Sequence, residues 1–144
     1  STRPTAKKDG YTWIDSDHPL HAPLEVSKAL LSFDDTDHYS ITNGTEWNSV
    51  FPAGGGFVHL GPNDRLFGIM MFHEFHCMNM IREAIVHNDV TGHVHHCFNF
   101  MRQAILCGAD TTLEPEFEPG IGGGVGVTHV CRDWSVVYDY ATHN

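Results

Sequence analysis

Two copies of one short motif constrain this chain more than any other feature of its sequence. The first copy is His73-Glu74-Phe75-His76-Cys77 and the second is His93-Val94-His95-His96-Cys97. Residues three apart in a helix lie on one face, so the two outer histidines of each copy can reach the same ion. Both copies stand in segments rich in helix-forming residues, which predicts two consecutive helices that each carry a pair of imidazoles.

Taken alone, either motif is explained by two buried histidines that bond to backbone carbonyls. Together they favour a metal site, because burying four unliganded imidazoles on core-like helices is costly. The predicted ligands are His73, His76, His93 and His96. A tight antiparallel hairpin would separate the two pairs by about 20 Å. Crossed helices with an extended return over residues 86–92 would unite them, and two separate half-sites are the alternative.

The choice of metal follows from the ligand types. Imidazole suits zinc, copper, iron and nickel. Glu74 would point about 100° away from His73 on a helix, which disfavours an iron site of two histidines and one carboxylate. The spacing also fails the zinc-protease pattern. If the cysteines are oxidised, an all-nitrogen site remains, so we predict copper, one or two ions per chain, with zinc second.

Length and charge limit the class of protein. The 144 residues suit one domain, predicted at residues 16–144 after a flexible lead-in at residues 1–15. The formal charge of −10 argues against nucleic acid and against an anionic membrane surface as partners. The sequence contains no apolar run of membrane-spanning length. The expected partner is a small-molecule or peptide substrate, and a homo-oligomer is left open.

The apolar pattern predicts a mainly α domain with long ordered loops. The predicted elements are helices within residues 19–33, from residue 63 or 64 to 85, at 93–107 and at 132–141, a helical turn at 45–50 and a strand at 57–60. Residues 114–126 contain two prolines and five glycines and are predicted to be a loop through which substrate enters. Within this loop, residues 120–126 are interpreted as a lid over the site.

The four cysteines, Cys77, Cys97, Cys107 and Cys131, are expected to be oxidised and to staple the domain. A straight helix would hold Cys97 and Cys107 about 15 Å apart, which excludes that pair. Two pairings remain, Cys77–Cys107 with Cys97–Cys131 and Cys77–Cys97 with Cys107–Cys131. With the glycosylation sequon Asn43-Gly44-Thr45, disulfides favour the secretory lumen or secretion. A native N-terminal membrane anchor removed before Ser1 is left open.

The paired motifs resemble the fungal UstYa-like family, whose hallmark is two HxxHC sequences. Further similar elements are Tyr39, Glu46-Trp47 leading to Pro52 and the glycines at 54–56, the run at residues 107–114 and the run at residues 128–134. The resemblance covers about residues 39–140. It implies a copper-dependent oxidative enzyme of fungal secondary metabolism, of the mycotoxin or ribosomal-peptide kind, acting in the secretory lumen.

The implied reaction is activation of O₂, as co-substrate, for oxidation of a C–H bond or a phenol. Oxidative macrocyclisation of a ribosomal peptide is the leading example, with hydroxylation or halogenation as the alternative. The rival hypothesis is a non-catalytic module in which zinc or nothing occupies the histidines. The resemblance also singles out His129, predicted to be a fifth ligand or a catalytic neighbour of the site, with packing under a disulfide as the equal alternative.

Two carboxylates complete the predicted catalytic set. Asp110 and Asp133 could each orient an imidazole N–H group, as carboxylates often do around metal ions, and helix capping is the alternative for both. His95 would point about 200° from His93 and is interpreted as a surface residue or as one that contacts a ligand without binding the metal. His87 shares a stripe with His73 but lies near the end of its helix, so a ligand role is the minority interpretation.

Overall fold

The computed structural model describes residues 10–33, 36–113, 116–118, 121–122 and 126–144, with the side chains of residues 116–118 and 121–122 left aside. In chain order the elements are β1 (Lys28–Ser32), α1 (Gly44–Asn48), β2 (Phe57–Leu60), β3 (Arg65–Gly68), α2 (Met70–His87), α3 (Gly92–Gly108), β4 (Glu116–Glu118), β5 (Ile121–Gly122), β6 (Thr128–Arg132) and α4 (Trp134–His143). Each strand pairs with one other strand, and all three pairs are antiparallel.

The longest of these pairings joins β1 to β6, two segments a hundred residues apart in sequence. Leu30 lies opposite Val130, and Leu31 lies opposite His129. The backbone N–H of Asp133 donates to Ser27 O at 2.9 Å and extends the pairing towards α4. This sheet therefore places both His129 and the start of α4.

The core lies between the β2–β3 hairpin, α2 and α4. Its most buried side chains are Val58, Phe72 and Ala141, which are 1%, 2% and 2% exposed. Val58 points inward from β2 while its neighbours Phe57 and His59 are exposed, the alternation expected of a strand with one buried face. Packing of Phe72 in this core fixes the first turn of α2, and with it the position of His73.

Helices α2 and α3 are joined by residues 88–91. Asn88 ends α2 in the left-handed conformation, with φ +52°, and its N–H donates to carbonyls of the last turn. Thr91 precedes α3, and Ala109 ends it, also left-handed at φ +40°. Residues 88–91 carry the chain back along α2, so that His93, at the start of α3, lies beside His76 in the first half of α2.

The predicted fold class was wrong: the domain is a small mixed α/β fold. The helix predicted within residues 19–33 is absent, and the end of that stretch forms β1. The helix predicted to begin at Asn63 or Asp64 begins at Met70, because Asp64 turns the β2–β3 hairpin at φ +54°. Turns and helix caps favour the same residue types, so local sequence could not separate them.

The other predicted elements are present. The strand at Phe57–Leu60 is confirmed, and the turn near residue 45 is the short helix α1. Helix α3 extends the prediction by one residue at each end, and α4 begins two residues later than predicted. Part of the predicted loop forms β4 and β5.

The predicted disulfides were also wrong, because all four cysteines are free thiols. Cys77 and Cys97 are buried, Cys131 is half-buried and Cys107 is exposed. Cys77 and Cys97 are hydrogen-bonded to each other as thiols, while Cys107 lies on the last turn of α3 and Cys131 in β6, so neither predicted pairing is formed. Free thiols remove one of the three arguments for a secretory location, and the sequon and the family resemblance remain.

Part of the predicted lead-in packs on the domain. Trp13 is 8% exposed, and its ring meets that of Phe67 edge-to-face at 6.0 Å. Arg65 donates from Nη1 to the carbonyls of Trp13 and Asp15, at 3.2 and 2.6 Å. None of the helices in the described ranges is both long and apolar enough to cross a membrane.

Candidate metal centre

The imidazoles of the two motifs form a closed group of four. Ring centroids are 6.3 Å apart for His73 and His76, and 5.5 Å apart for His76 and His93. They are 6.1 Å apart for His93 and His96, and again for His96 and His73. His73 therefore lies beside His96, and His76 beside His93, whereas a tight antiparallel hairpin would have placed His93 near His87. Of the arrangements left open by the sequence, the structure contains the single cluster.

These four imidazoles, hereafter the histidine cluster, are free to bind an ion. All four residues are exposed. The cost of burial that favoured a metal in the sequence therefore does not apply, and the case for a metal rests on the proximity of the rings. Within the described part of the chain, no hydrogen bond joins any of the four rings to another group. The pKa of His76 lies below its usual value, first because of burial and then because of the neighbouring charges of His93 and His73. A neutral imidazole with a free nitrogen is the form that binds a metal ion.

A thiol lies beneath the cluster. The donor atoms of His73, Cys77 and His96 all lie within 4.8 Å of one another. Burial, followed by a hydrogen bond with Cys97, raises the pKa of Cys77 to about 12. Without a bound ion Cys77 is therefore a neutral thiol, whereas a metal ligand must be the thiolate. Protonation therefore favours the four imidazoles as donors, whereas the distances between donor atoms favour His73, Cys77 and His96.

The histidine cluster borders a cavity of about 710 Å³. His73 and His76 line one side, and aromatic rings line much of the rest, namely Phe51, Phe57, Phe72 and Phe100. The ring of Phe100, on α3, lies 4.0 Å from that of His73. No charged carboxylate or ammonium group lines this cavity among the described residues. A neutral, largely apolar molecule would fit beside the imidazoles, and we call this space the cluster cavity.

One amide in the cluster cavity is held in a defined orientation. Asn79 Oδ1 accepts a hydrogen bond from Arg82 Nε at 2.8 Å. Arg82, only 6% exposed, also donates to Ile41 O at 2.8 Å and pairs with Glu83. The Asn79 Nδ2 group is left as a donor at the cavity wall. Sequence reasoning missed Asn79 and Phe100, although both follow the motif histidines at helical spacing on the same faces.

His129 occupies a different part of the fold. Its ring is 5% exposed and stacks on Phe33, with centroids 4.0 Å apart. Its Nδ1 atom lies 3.5 Å from Asp110 Oδ2. Asp110 follows the end of α3, and His96 lies near its start. At 1.5 Å per residue, His96 is roughly 18 Å along the helix axis from the last residue of α3. Among the described residues, the ring of His129 meets Phe33 and Asp110, and its predicted role at the metal remains a prediction.

The two predicted carboxylates bond locally. Asp133 Oδ1 accepts from the backbone N of Ser135 at 3.1 Å, which is the N-cap bond of α4. Asp110 Oδ1 accepts from Thr112 N at 2.8 Å. The pKa of Asp110 is lowered mainly by its bonds to Thr112, with a smaller effect of His129. The contacts of Asp133 are those of the helix cap that was its alternative, while Asp110 is directed at His129.

The remaining histidines of the two helices lie outside the cluster. His95 is exposed, as expected from its helical position. His87 Nε2 lies 2.9 Å from Glu83 Oε2, one turn earlier on α2. The predicted lid at residues 120–126 and the predicted entrance at residues 114–126 fall mostly outside the described residues.

A comparison with protein families identifies the chain. A model described as mycotoxin biosynthesis protein UstYa matches residues 21–144. The chain belongs to the UstYa family. The resemblance inferred from the paired motifs is thereby confirmed, and a role in fungal secondary-metabolite biosynthesis is shown at the level of the family.

One curated relative of this UstYa-family chain carries a reaction name. It is described as hydroxylase cctR, comes from Talaromyces islandicus and is 32% identical in the aligned part. The alignment covers 58% of this chain and 36% of the relative, so the chain spans little more than a third of that protein's length. No solved structure matches the chain.

Proposed function

We propose that this chain is an oxidative enzyme, a hydroxylase of fungal secondary metabolism, in which the histidine cluster holds copper. The observation that carries the proposal is the closed group of four imidazoles, with neighbouring centroids 5.5 to 6.3 Å apart, of which His73 and His76 line an apolar cavity. The relative named as a hydroxylase favours hydroxylation over macrocyclisation as the first reaction to test.

The donor set fits copper. His73, His76, His93 and His96 would hold the ion, because imidazole nitrogens suit copper and all four rings are exposed and unbonded within the described residues. When bound, copper would supply one-electron redox chemistry towards O₂. The exposed side of the cluster leaves space for a further ligand, which a catalytic site needs and a closed structural site lacks.

The protein side chains would position the substrate. His73 and His76 belong to both the cluster and the cavity, so a molecule in the cluster cavity contacts the edge of the donor set. The phenylalanine walls exclude water and favour an apolar substrate. Asn79 Nδ2 would donate to an oxygen of the substrate, because Arg82 already occupies Oδ1. These contacts would hold one C–H bond towards the imidazoles and keep the polar end at Asn79.

Zinc binding without catalysis is a second candidate that one observation favours. The free thiol of Cys77 shares a 4.8 Å cluster with His73 and His96, and zinc readily takes mixed cysteine and histidine ligands. In this alternative Cys77 loses its proton to the ion and the site closes around it. Removal of the Cys77 thiol therefore distinguishes the candidates.

The test is a titration of the metal-free chain with copper and with zinc, followed by O₂ uptake in the presence of ascorbate. We expect copper to bind in the ratio predicted from the sequence, one or two ions per chain. Loss of a side chain that only hydrogen-bonds to a metal ligand weakens metal binding by roughly 10–100-fold. His96→Ala removes a ligand itself and should weaken copper binding by more than that. His95→Ala, on the same helix outside the cluster, is the matched control and should bind copper as the parent does.

The second half of the test concerns Cys77 and turnover. We expect Cys77→Ser to keep copper binding, and the copper-loaded chain to consume O₂ above the rate of free copper. If Cys77→Ser abolishes metal binding, or if only zinc binds in stoichiometric amount, the zinc candidate replaces copper. Unchanged copper binding in His96→Ala would show that the cluster is not the site.

A further inference from the structure

A second and larger cavity lies on another side of α2. It has a volume of about 900 Å³ and shares no lining residue with the cluster cavity. Glu74 and Phe75 of α2 face it, whereas their neighbours His73 and His76 face the cluster cavity. Steps of about 100° per residue around the helix axis separate the two faces. We call this space the aromatic cavity, because aromatic rings from four parts of the chain line it.

One wall of the aromatic cavity is built in advance by hydrogen bonds. Trp47 Nε1 donates to the carbonyls of Tyr39 and Ser40, at 3.0 and 3.1 Å. The two rings of Tyr39 and Trp47 meet edge-to-face with centroids 5.7 Å apart. Tyr39 adopts φ +58°, and its N–H donates to Glu46 Oε2 at 2.6 Å. Three hydrogen bonds and one edge-to-face ring contact therefore fix this wall without a ligand.

The opposite wall comes from α4. Trp134 and Tyr138 meet edge-to-face with centroids 6.4 Å apart. Tyr138 Oη donates to Phe51 O at 3.3 Å, which ties α4 to the segment after α1. Trp134 remains 52% exposed, a large aromatic surface left open at the mouth of a cavity. Both walls thus present aromatic faces and edges to one space.

The charge of the aromatic cavity has one sign. Its charged lining residues are Glu74 and Asp139, and the described lining contains no lysine, arginine or histidine. Glu74 is half-buried, and its carboxylate has no hydrogen bond or ion pair within the described ranges. A carboxylate that loses hydration without gaining a partner is unfavourable, and a bound cation would relieve this cost.

We propose that the aromatic cavity is a binding site for an organic cation, an ammonium group carried on an apolar body. The apolar body fits the aromatic and methionine lining, and the volume lies in the usual range for small-molecule sites. The ammonium group gains from Glu74 and from the faces of Trp47 and Trp134, since aromatic faces attract cations. An anion would meet two carboxylates and a chain of net charge −10. The proposal stands independently of any metal at the histidine cluster.

The test compares two probes that differ in one atom. 4-(Trimethylammonio)phenol and 4-tert-butylphenol have nearly the same shape, and only the first is charged at its bulky end. Each is titrated into the metal-free chain at neutral pH, with calorimetry and tryptophan fluorescence as readouts. Trp47 and Trp134 line the cavity and report binding there. We expect the cation to bind at least tenfold more tightly than the neutral probe.

Variants locate the site and separate charge from folding. Glu74→Gln keeps the shape and should reduce the preference for the cation to less than threefold. Glu25→Gln removes an exposed glutamate outside the aromatic cavity and should leave the preference unchanged. Thermal melts of both variants exclude unfolding. Equal affinity for the two probes, absence of binding by either, or an undiminished preference in Glu74→Gln would overturn the proposal.

Discussion

Gly56 is the position where a single methyl group should do most damage. Its φ of +86° lies in the left-handed region, and an added Cβ would lie 2.2 Å from Phe72 Cβ. Phe72 cannot move aside easily, because it is 2% exposed and packs with Val58 and Ala141. The backbone strain of a non-glycine residue there costs about 1–2 kcal/mol. Overpacking of a tight core adds about 1–3 kcal/mol, so Gly56→Ala should cost roughly 2–5 kcal/mol in total.

Urea and thermal unfolding of the parent and Gly56→Ala measure this cost. For a domain of this size, each kcal/mol lowers Tm by roughly 2–4 °C, which predicts a fall of about 10 °C. Gly92→Ala is the matched control, since no heavy atom lies within 4 Å of its added Cβ. Gly92 begins α3, where alanine should be neutral or stabilise by up to about 1 kcal/mol. A loss below about 1 kcal/mol in Gly56→Ala would refute the packing argument.

Three further substitutions test single contacts. Asp133→Ala removes the N-cap of α4 and should cost about 1 kcal/mol in urea unfolding, while Asp133→Asn should retain most of it. Arg82→Lys should lower the free energy of unfolding by about 1–3 kcal/mol, because a single ammonium cannot reach Ile41 O, Asn79 and Glu83 from one position. A decrease smaller than the error of the unfolding curve would contradict this. The pKa of Glu46 is lowered first by the hydrogen bond with His38 and then by the N–H of Tyr39. Its carboxylate therefore stabilises the fold at pH values above the usual glutamate pKa of about 4.3. That contribution is lost as the pH falls through the lower pKa of the folded state. Glu46→Gln should therefore be less stable than the parent at pH 7 and equally stable near pH 2, as measured by thermal melts, and an equal deficit at both pH values would exclude this origin.

Local sequence was sufficient for the two ligand helices. Histidines three apart share a face in any α-helix, so His73 with His76 and His93 with His96 could be paired before the fold was known. The bounds predicted for the second helix, 93–107, also differ from those of α3 by one residue at each end. Family membership followed from the same motifs and was confirmed over residues 21–144. These features depend on short-range backbone geometry, which local sequence encodes directly.

The strand pairings and the state of the cysteines required the tertiary structure. The β1 segment, Lys28–Ser32, has apolar residues that suit a helix or a strand, and only its pairing with Thr128–Arg132 decides between them. Cys77 and Cys97 are adjacent yet buried as thiols, whereas Cys107 lies exposed on the last turn of α3. Whether two cysteines meet as partners depends on contacts between distant segments, which neither spacing nor composition contains.

The sequence by itself determined which imidazoles share a helix face, and the packing of α2 against α3 decided that all four meet. The same packing placed Phe100, from α3, beside His73 of α2. The β1–β6 pairing holds His129 beside Phe33, and Asp110 meets it from the end of α3. The physical reason is the distance in sequence between the residues that interact. A helix face follows from a repeat of only 3.6 residues. The meeting of two faces depends instead on the connection at residues 88–91 and on the core that orients both helices.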